Sequence, residues 1–121
     1  MAFNFEKLDT WQHAVDLAEL VYCLTEKFPS EEKFGLSSQM RRAAVSISSN
    51  VAEGSSRSSR SDFARFVEIA AGSVFEVVSQ SVLAKRKGLM SQGDFANLYA
   101  VCEKQSRMLS GLRRSLLAGR S

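Results

Sequence analysis

The sequence predicts an all-α protein, an antiparallel four-helix bundle with up-down-up-down topology. Apolar residues recur every three or four positions in four separate segments, which is the spacing of one buried helix face. Capping residues, glycines and the single proline stand between these segments, and no segment alternates apolar and polar residues as a strand would. Short connections require neighbouring helices to run in opposite directions. At this length we expect one domain, residues 1–121, whose core needs no metal or disulfide.

The first helix is predicted to begin at Asp9 and to close at Phe28. Asp9 and Gln12 have the spacing of a capping box, in which the carboxylate accepts from early backbone amides and the glutamine reaches back. Pro29 disfavours helical geometry at the residue before it. The apolar face of this helix includes Trp11, Val15, Ala18 and Tyr22.

The second helix is centred on residues 41–54, RRAAVSISSNVAEG, which divide into three faces at about 100° per residue. One face is an ordinary core stripe: Met40, Ala43, Ala44, Ile47 and Val51. A helix in a monomeric bundle needs only one buried stripe. We therefore interpret a second, partly apolar strip as a contact with a neighbouring subunit, formed by Val45, Ser48 and Ala52. Gly54 is predicted to end the helix in a left-handed conformation.

The remaining face of the second helix is polar and contains Arg42, Asn50 and Glu53. Glu53 and Glu76 of the third helix would form a pair of carboxylates if the two helices pack together, as general acid and base catalysis requires. Because Arg42 shares the face of Glu53, we favour an ion-pair arrangement. These four residues are therefore predicted to form a structural polar network.

The third helix is predicted to span residues 61–87. Ser59 and Asp62 have capping-box spacing at its start, and Gly88 follows its end. Gly72 lies in its middle, where glycine costs about 1 kcal/mol relative to alanine. We expect another helix backbone to approach closely there and compensate that cost.

The fourth helix is predicted to begin after Ser91, which stands three residues before Asp94 in a further capping box. Its apolar stripe includes Leu98, Cys102 and Leu109. Gly119 is predicted to end it.

Positive charge is concentrated in the last two thirds of the chain. Residues 1–40 contain three basic residues (Lys or Arg) and seven acidic residues (Asp or Glu), a net charge of −4. Residues 41–121 contain thirteen basic and six acidic residues, a net charge of +7. The asymmetry favours an anionic partner, although a bundle with one acidic helix has the same pattern. Residues 55–61, SSRSSRS, are interpreted as a solvated loop that caps the next helix, as a flexible clamp on phosphates, or as both at once. Antiparallel packing predicts five arginines at one end of the bundle: Arg57, Arg60, Arg65, Arg113 and Arg114.

Catalytic and metal-binding patterns are sparse. His13 is the only histidine, which excludes a histidine-based metal cluster, and we interpret it as a surface residue. Cys23 and Cys102 are interpreted as reduced core thiols. We predict a protein that is not an enzyme and has no cofactor.

No apolar run approaches the roughly 20 residues that span a bilayer, so we expect no membrane association and a cytoplasmic location.

Five segments carry a family pattern over nearly the whole chain: LDTWQHA, KFP, FGLSSQMRRAAVSISSNVAEG, DFARFVEIAAGSVFE and MLSGL. They resemble the 23S rRNA intervening-sequence proteins, bacterial four-helix bundles related to the accessory variability determinant of diversity-generating retroelements. The resemblance implies a ring-like homopentamer with a basic surface, no catalytic site and a cytosolic bacterial setting. Members commonly have proline where this chain has Ser48; serine keeps the backbone hydrogen bond that proline removes, so we expect a milder bend.

Two functions from different classes follow. The first is an oligomeric protein that associates with the RNA or DNA backbone through its basic surface. The second is an interaction scaffold, or an accessory subunit for a partner enzyme such as a reverse transcriptase, without direct contact to nucleic acid.

Overall fold

Four α-helices form the structure, a computed structural model that describes residues 2–118. They are α1 (Asp9–Thr25), α2 (Leu36–Ser55), α3 (Arg60–Arg86) and α4 (Gln92–Leu117). Short 3₁₀ turns at Asn4–Lys7 and Ser30–Glu32 precede α1 and α2. Residues 2–118 contain no strand. The prediction of an all-α chain with four helices is confirmed.

Each helix packs against the next one in sequence, and α4 also packs against α1, which closes the bundle. The apolar stripes predicted for α2 and α4 lie in its core. On α1 the predicted stripe is wrong in part, because Tyr22 is 42% exposed and the buried face is formed by Ala14, Leu17, Ala18, Val21 and Leu24. On α2 the predicted stripe is buried throughout, from Met40 to Val51. The core also includes Leu17, Val67, Val74, Leu98 and Leu109.

Two of the predicted caps and one predicted terminator are confirmed. The side chains of Ser59 and Ser91 accept hydrogen bonds from the backbone amides of Asp62 and Asp94, at 3.0 and 3.1 Å. These bonds satisfy amides that have no partner within the first helical turn. Gly88 ends α3 with φ +76°, in the left-handed region.

The predicted cap of α1 is wrong. Leu8 occupies the N-cap position and makes no side-chain cap, while Asp9 is already helical. Gln12 instead donates from Nε2 to the backbone oxygen of Glu6 at 2.8 Å, which ties α1 to the 3₁₀ turn before it. The helix also ends three residues before Phe28, at Thr25. The predicted terminator of α4, Gly119, lies outside the described residues.

Gly54 has a different role from the one predicted. Gly88 is the only glycine with positive φ among the described residues, and α2 continues through Gly54 to Ser55. A Cβ atom on Gly54 would lie 2.7 Å from the Cβ atom of Phe66 and 2.8 Å from the ring of Phe63. Glycine is therefore needed here because α3 crosses α2 closely.

The close approach occurs at Gly54 and not at Gly72. A Cβ atom on Gly72 would meet no atom within 4 Å, and the residue is exposed. Nothing in the described part of this chain compensates for the helical glycine at that position. α2 runs unbroken through Ser48, whose hydroxyl donates to the backbone oxygen of Val45 at 3.1 Å.

By length and composition alone, α3 could cross a membrane. The core helix of a soluble protein passes the same test. In this structure Val67, Val74 and Val77 of α3 are buried in the bundle.

Candidate nucleic-acid interface

The start of α3 lies beside the end of α4, and Arg60 makes the connection. Its Nε donates to the backbone oxygen of Leu116 at 3.2 Å, and its Nη2 donates to that of Ser115 at 3.1 Å. Carbonyls in the last turn of a helix have no partner within the helix, and the negative end of the helix dipole attracts a cation. Arg60 therefore caps α4 and brings the two arginine-bearing segments together.

Arg57 and Arg65 both lie over the ring of Phe66. Their guanidinium carbons are 4.6 and 4.8 Å from its ring centroid. Arg57 also pairs with Glu53 at 2.8 Å and, more weakly, with Asp62 at 3.8 Å. Arg65 pairs with Asp62 at 3.0 Å. The short loop and the start of α3 thus carry two guanidinium groups that are fixed by acids and by one aromatic ring.

Arg113 joins the same end of the bundle through a salt bridge to Glu68 of α3, at 3.1 Å. Arg114 makes no ion pair with any residue between 2 and 118. Arg57 and Arg65 thus share Asp62, whereas Arg60 and Arg113 each join α3 to the last part of α4. Arg114 follows Arg113 on α4.

The arginine cluster, defined as Arg57, Arg60, Arg65, Arg113 and Arg114, has more cations than anions. Three carboxylates pair with its members, those of Glu53, Asp62 and Glu68. A guanidinium group has five N–H donors, so one that is paired with a carboxylate still has donors free for a phosphate oxygen. The side chain of Arg65 is 61% exposed. The cluster can bind an anion without losing its internal ion pairs.

The four residues of the predicted polar network make no direct contact with one another among the described hydrogen bonds and salt bridges, although Arg42 and Glu76 share one groove. Asn50 donates to the backbone oxygen and hydroxyl of Ser46, at 2.8 and 3.0 Å. Glu53 pairs with Arg57. Arg42 and Glu53 stand eleven residues apart, about 16 Å along a helix axis, and that distance prevents direct contact although the two share a face.

Arg42 and Glu76 line one groove between α2 and α3, of about 430 Å³. Gln80 lines it as well, and its Oε1 is buried without a hydrogen-bond partner among the described residues. Arg42 makes one long contact, 3.5 Å to the hydroxyl of Ser38. The described lining of the groove holds one cation, one carboxylate, two amides and one hydroxyl. It contains no pair of carboxylates in the arrangement that acid and base catalysis uses.

The predicted subunit strip is partly exposed. Val45 is 39% exposed, and Ser48 and Ala52 are half-buried. Val45 and Ser48 line a groove with residues of α1. Arg41, which neighbours this strip, donates to the hydroxyl of Thr25 at 2.9 Å and stacks 4.5 Å from the ring centroid of Tyr22. Arg41 is thereby used in joining α2 to α1.

Sequence reasoning missed a buried polar contact between α1 and α4. Gln105 is fully buried and donates from Nε2 to the backbone oxygen of Thr10 at 3.2 Å. Its Oε1 contacts Nδ1 of His13, so the imidazole carries its proton there and donates it. His13 is half-buried, which corrects its interpretation as a surface residue. The signal was present in the sequence, because Gln105 continues the apolar spacing between Cys102 and Leu109.

The two cysteines differ in environment. Cys102 is buried, and burial raises the pKa of its thiol to about 12. Cys23 is exposed, so the prediction that both thiols are in the core is wrong for Cys23. In the described part of the chain, no three His, Cys, Asp or Glu side chains are grouped in a way that could hold a metal ion.

Comparison with known proteins places the chain in a family. No curated protein matches it. The model of the 23S rRNA-intervening sequence protein family matches residues 6–111, which include nearly all of the four helices and the segments between them. The chain therefore belongs to the 23S rRNA-intervening sequence protein family.

Proposed function

We propose that this protein is a non-enzymatic cytoplasmic homo-oligomer that binds the backbone of RNA or DNA through the arginine cluster. Its bundles are antiparallel with up-down-up-down topology and form a ring, of five copies by family resemblance. The observation that carries the nucleic-acid part is the meeting of arginines from the α2–α3 loop, the start of α3 and the end of α4. Five guanidinium groups beside three carboxylates leave an excess of positive charge.

The contacts of the cluster suit a phosphate backbone better than base edges. Arg57 and Arg65 both pack on the ring of Phe66, which is buried and so cannot stack on a base. Binding of this kind depends on counterion release and has little sequence preference. Arg60 donates to two backbone oxygens at the end of α4, so we assign it a structural role within the cluster.

The salt dependence of binding tests this function. Arg65, Arg113 and Arg114 are changed together to glutamine, and Arg60 is left in place to preserve α4. Affinity for a labelled RNA hairpin and a DNA duplex is measured over a salt series. We expect the slope of log K against log salt to fall by about 0.7–0.9 for each phosphate that the variant no longer neutralises.

A matched control changes Lys85, Arg86 and Lys87 to glutamine. It removes the same charge at the other end of α3, about 30 Å from Arg65 by helix rise. Its slope is expected to stay near that of the unchanged protein. Equal effects of both triple variants would mean that net charge alone attracts nucleic acid, and an unchanged slope in the first variant would refute the proposed interface.

The second candidate function is an interaction scaffold or an accessory subunit for a partner enzyme such as a reverse transcriptase. It is favoured by large exposed apolar side chains, above all Phe34 at 90% and Phe75 at 70%. Soluble proteins rarely leave contiguous apolar patches uncovered. Copurification of a protein at low salt, without nucleic acid, would support this alternative.

A further inference from the structure

Two exposed surfaces with apolar side chains lie on opposite sides of the bundle. The first, the aromatic face, is on the α1–α2 side and consists of Tyr22, Phe34 and Val45 with Lys33, Arg41 and Arg42. The second, the α3–α4 groove, has a volume of about 350 Å³ and is lined by Val74, Phe75, Val78, Tyr99, Cys102 and Glu103. Because α1 and α2 form one side of the closed bundle and α3 and α4 the other, the two surfaces face away from each other.

The two surfaces lie at a similar level along the bundle. The hydroxyl groups of Ser46 and Ser73 are 3.0 Å apart, which fixes the register of α2 against α3. Val45 is one residue from Ser46, and Phe75 is two residues from Ser73. At about 1.5 Å per residue, Val45 and Phe75 are therefore within about one helical turn of the same height.

Their charges are complementary. The aromatic face includes Lys33, Arg41 and Arg42 and no carboxylate among its described lining residues. The described lining of the groove includes the carboxylate of Glu103 and no cation. An apolar contact with opposite charges at its edge is the usual composition of a specific protein interface.

Gly72 supports an approach by another chain on the groove side. It precedes the exposed Phe75 by three residues, close to one turn of α3, and a Cβ atom there would meet nothing within 4 Å. The helix carries the cost of this glycine without any compensating contact in the described chain. A neighbouring helix that packs beside Phe75 would use the space that Gly72 leaves.

We propose that the aromatic face of one copy docks into the α3–α4 groove of a second copy. The inference rests on the proposed homo-oligomer and names the two surfaces that meet in it. Such a contact joins different surfaces of identical chains, so the copies at the two ends of an open assembly each keep one surface unused until the assembly closes. Surfaces at one level allow neighbouring copies to be related by rotation about an axis parallel to the helices, and the assembly closes where the two surfaces are inclined to each other rather than directly opposed.

Mixing two variants tests this pairing. Val45→Glu places a charge on the aromatic face, and Phe75→Glu places one at the groove. Each variant alone is expected to have the mass of a single chain, 13.4 kDa, by sedimentation and light scattering. An equimolar mixture is expected to form a species of twice that mass and no larger one, because one intact face and one intact groove remain.

Phe34→Glu is a second variant of the aromatic face, and it is expected to behave as Val45→Glu does. Phe34 is 90% exposed, so this change leaves the core untouched. Leu117→Glu is the matched control, since Leu117 is also an exposed apolar residue but lies outside both surfaces. It is expected to keep the mass of the unchanged protein. Circular dichroism of every variant checks that helix content is retained.

Several outcomes would overturn the pairing. If the unchanged protein is oligomeric and the variants keep its mass, the pairing fails while the homo-oligomer stands. If each variant alone has the mass of a single chain and the mixture also has only that mass, the two surfaces do not bind each other. A single-chain mass for the unchanged protein at 100 µM would remove the pairing and the oligomer, and the salt series would still decide nucleic-acid binding. Loss of single-stranded RNA affinity in Phe34→Glu without a change in mass would assign the aromatic face to RNA.

Discussion

Gly54 of α2 and Phe66 of α3 are so close that a Cβ atom on Gly54 would lie 2.7 Å from the Cβ atom of Phe66. A Cβ atom is fixed to the backbone and cannot rotate away. Gly54→Ala must therefore move α2 relative to α3, at a cost of about 3 kcal/mol, the upper part of the range for overpacked cores. This exceeds the gain of about 1 kcal/mol from replacing a helical glycine. We expect a lower free energy of unfolding in urea.

Gly93→Ala is the control for this prediction. Gly93 is also helical, and a Cβ atom there would meet nothing within 4 Å. Its unfolding free energy is expected to be unchanged or slightly higher. If Gly54→Ala behaves in the same way as Gly93→Ala, the helices tolerate a wider separation than the structure shows.

The contrast between Gly54 and Gly88 shows which parts of the fold sequence can predict. Gly88 and the caps at Ser59 and Ser91 depend on contacts within a few residues, so local spacing was enough to find them. Gly54 depends on Phe66, twelve positions away and on another helix. Sequence indicates the face on which a glycine lies but not the distance to the helix that covers that face.

The buried carboxamide of Gln105 gives a second prediction. Gln105→Leu keeps a similar volume but removes the donor to Thr10 and the acceptor for His13. Removing one partner of a buried hydrogen bond costs about 1–3 kcal/mol. We therefore expect the free energy of unfolding of Gln105→Leu, measured in urea, to be lower by about 1–3 kcal/mol.

A double-mutant cycle with His13→Ala separates the contact from simple packing. The two residues share one hydrogen bond, so the double variant should lose less stability than the sum of the single variants. Strict additivity would show that the contact between the imidazole and the carboxamide contributes nothing.

Arg60 gives a third prediction, about α4. Arg60→Ala removes both donors from the carbonyls of Ser115 and Leu116, and Arg60→Lys keeps the charge without the forked geometry. We expect faster hydrogen exchange in the last turn of α4 for both, larger for alanine, and a stability loss of about 1 kcal/mol for alanine. Arg65→Ala serves as the control, because its salt bridge is exposed and such pairs contribute little. If the hydrogen-exchange rates in the last turn of α4 are the same in Arg60→Ala and in the unchanged protein, Arg60 does not cap α4.

The contacts within the arginine cluster differ in how far the sequence reveals them. The pair of Glu53 with Arg57 and that of Asp62 with Arg65 follow from spacings of four and three residues. The pair of Glu68 with Arg113 joins two helices across 45 positions, and only the packing of α3 on α4 reveals it.

The two thiols give a prediction about reactivity. Cys23 is exposed and Cys102 is buried with a raised pKa. Since the thiolate is the reactive form, iodoacetamide at pH 8 is expected to modify one site per folded chain, at Cys23. Mass spectrometry of peptides locates the adduct, and modification of both thiols is expected only after unfolding. Rapid modification of Cys102 in the folded chain would contradict its burial.

The raised pKa of Cys102 also predicts how stability depends on pH. The thiol ionises near 9.0 without burial and near 12 in the folded protein, so above pH 9 the unfolded chain loses a proton that the folded chain keeps. The contribution of this group is therefore complete below pH 9 and declines as pH rises towards 12, by up to about 1.4 kcal/mol per pH unit. Cys102→Ala removes the titrating group and should show a shallower decline in unfolding free energy over this range, even though its stability at pH 7 is lower. Lysine and tyrosine titration affects both proteins alike, so the difference between their slopes isolates Cys102, and parallel slopes would contradict the shift.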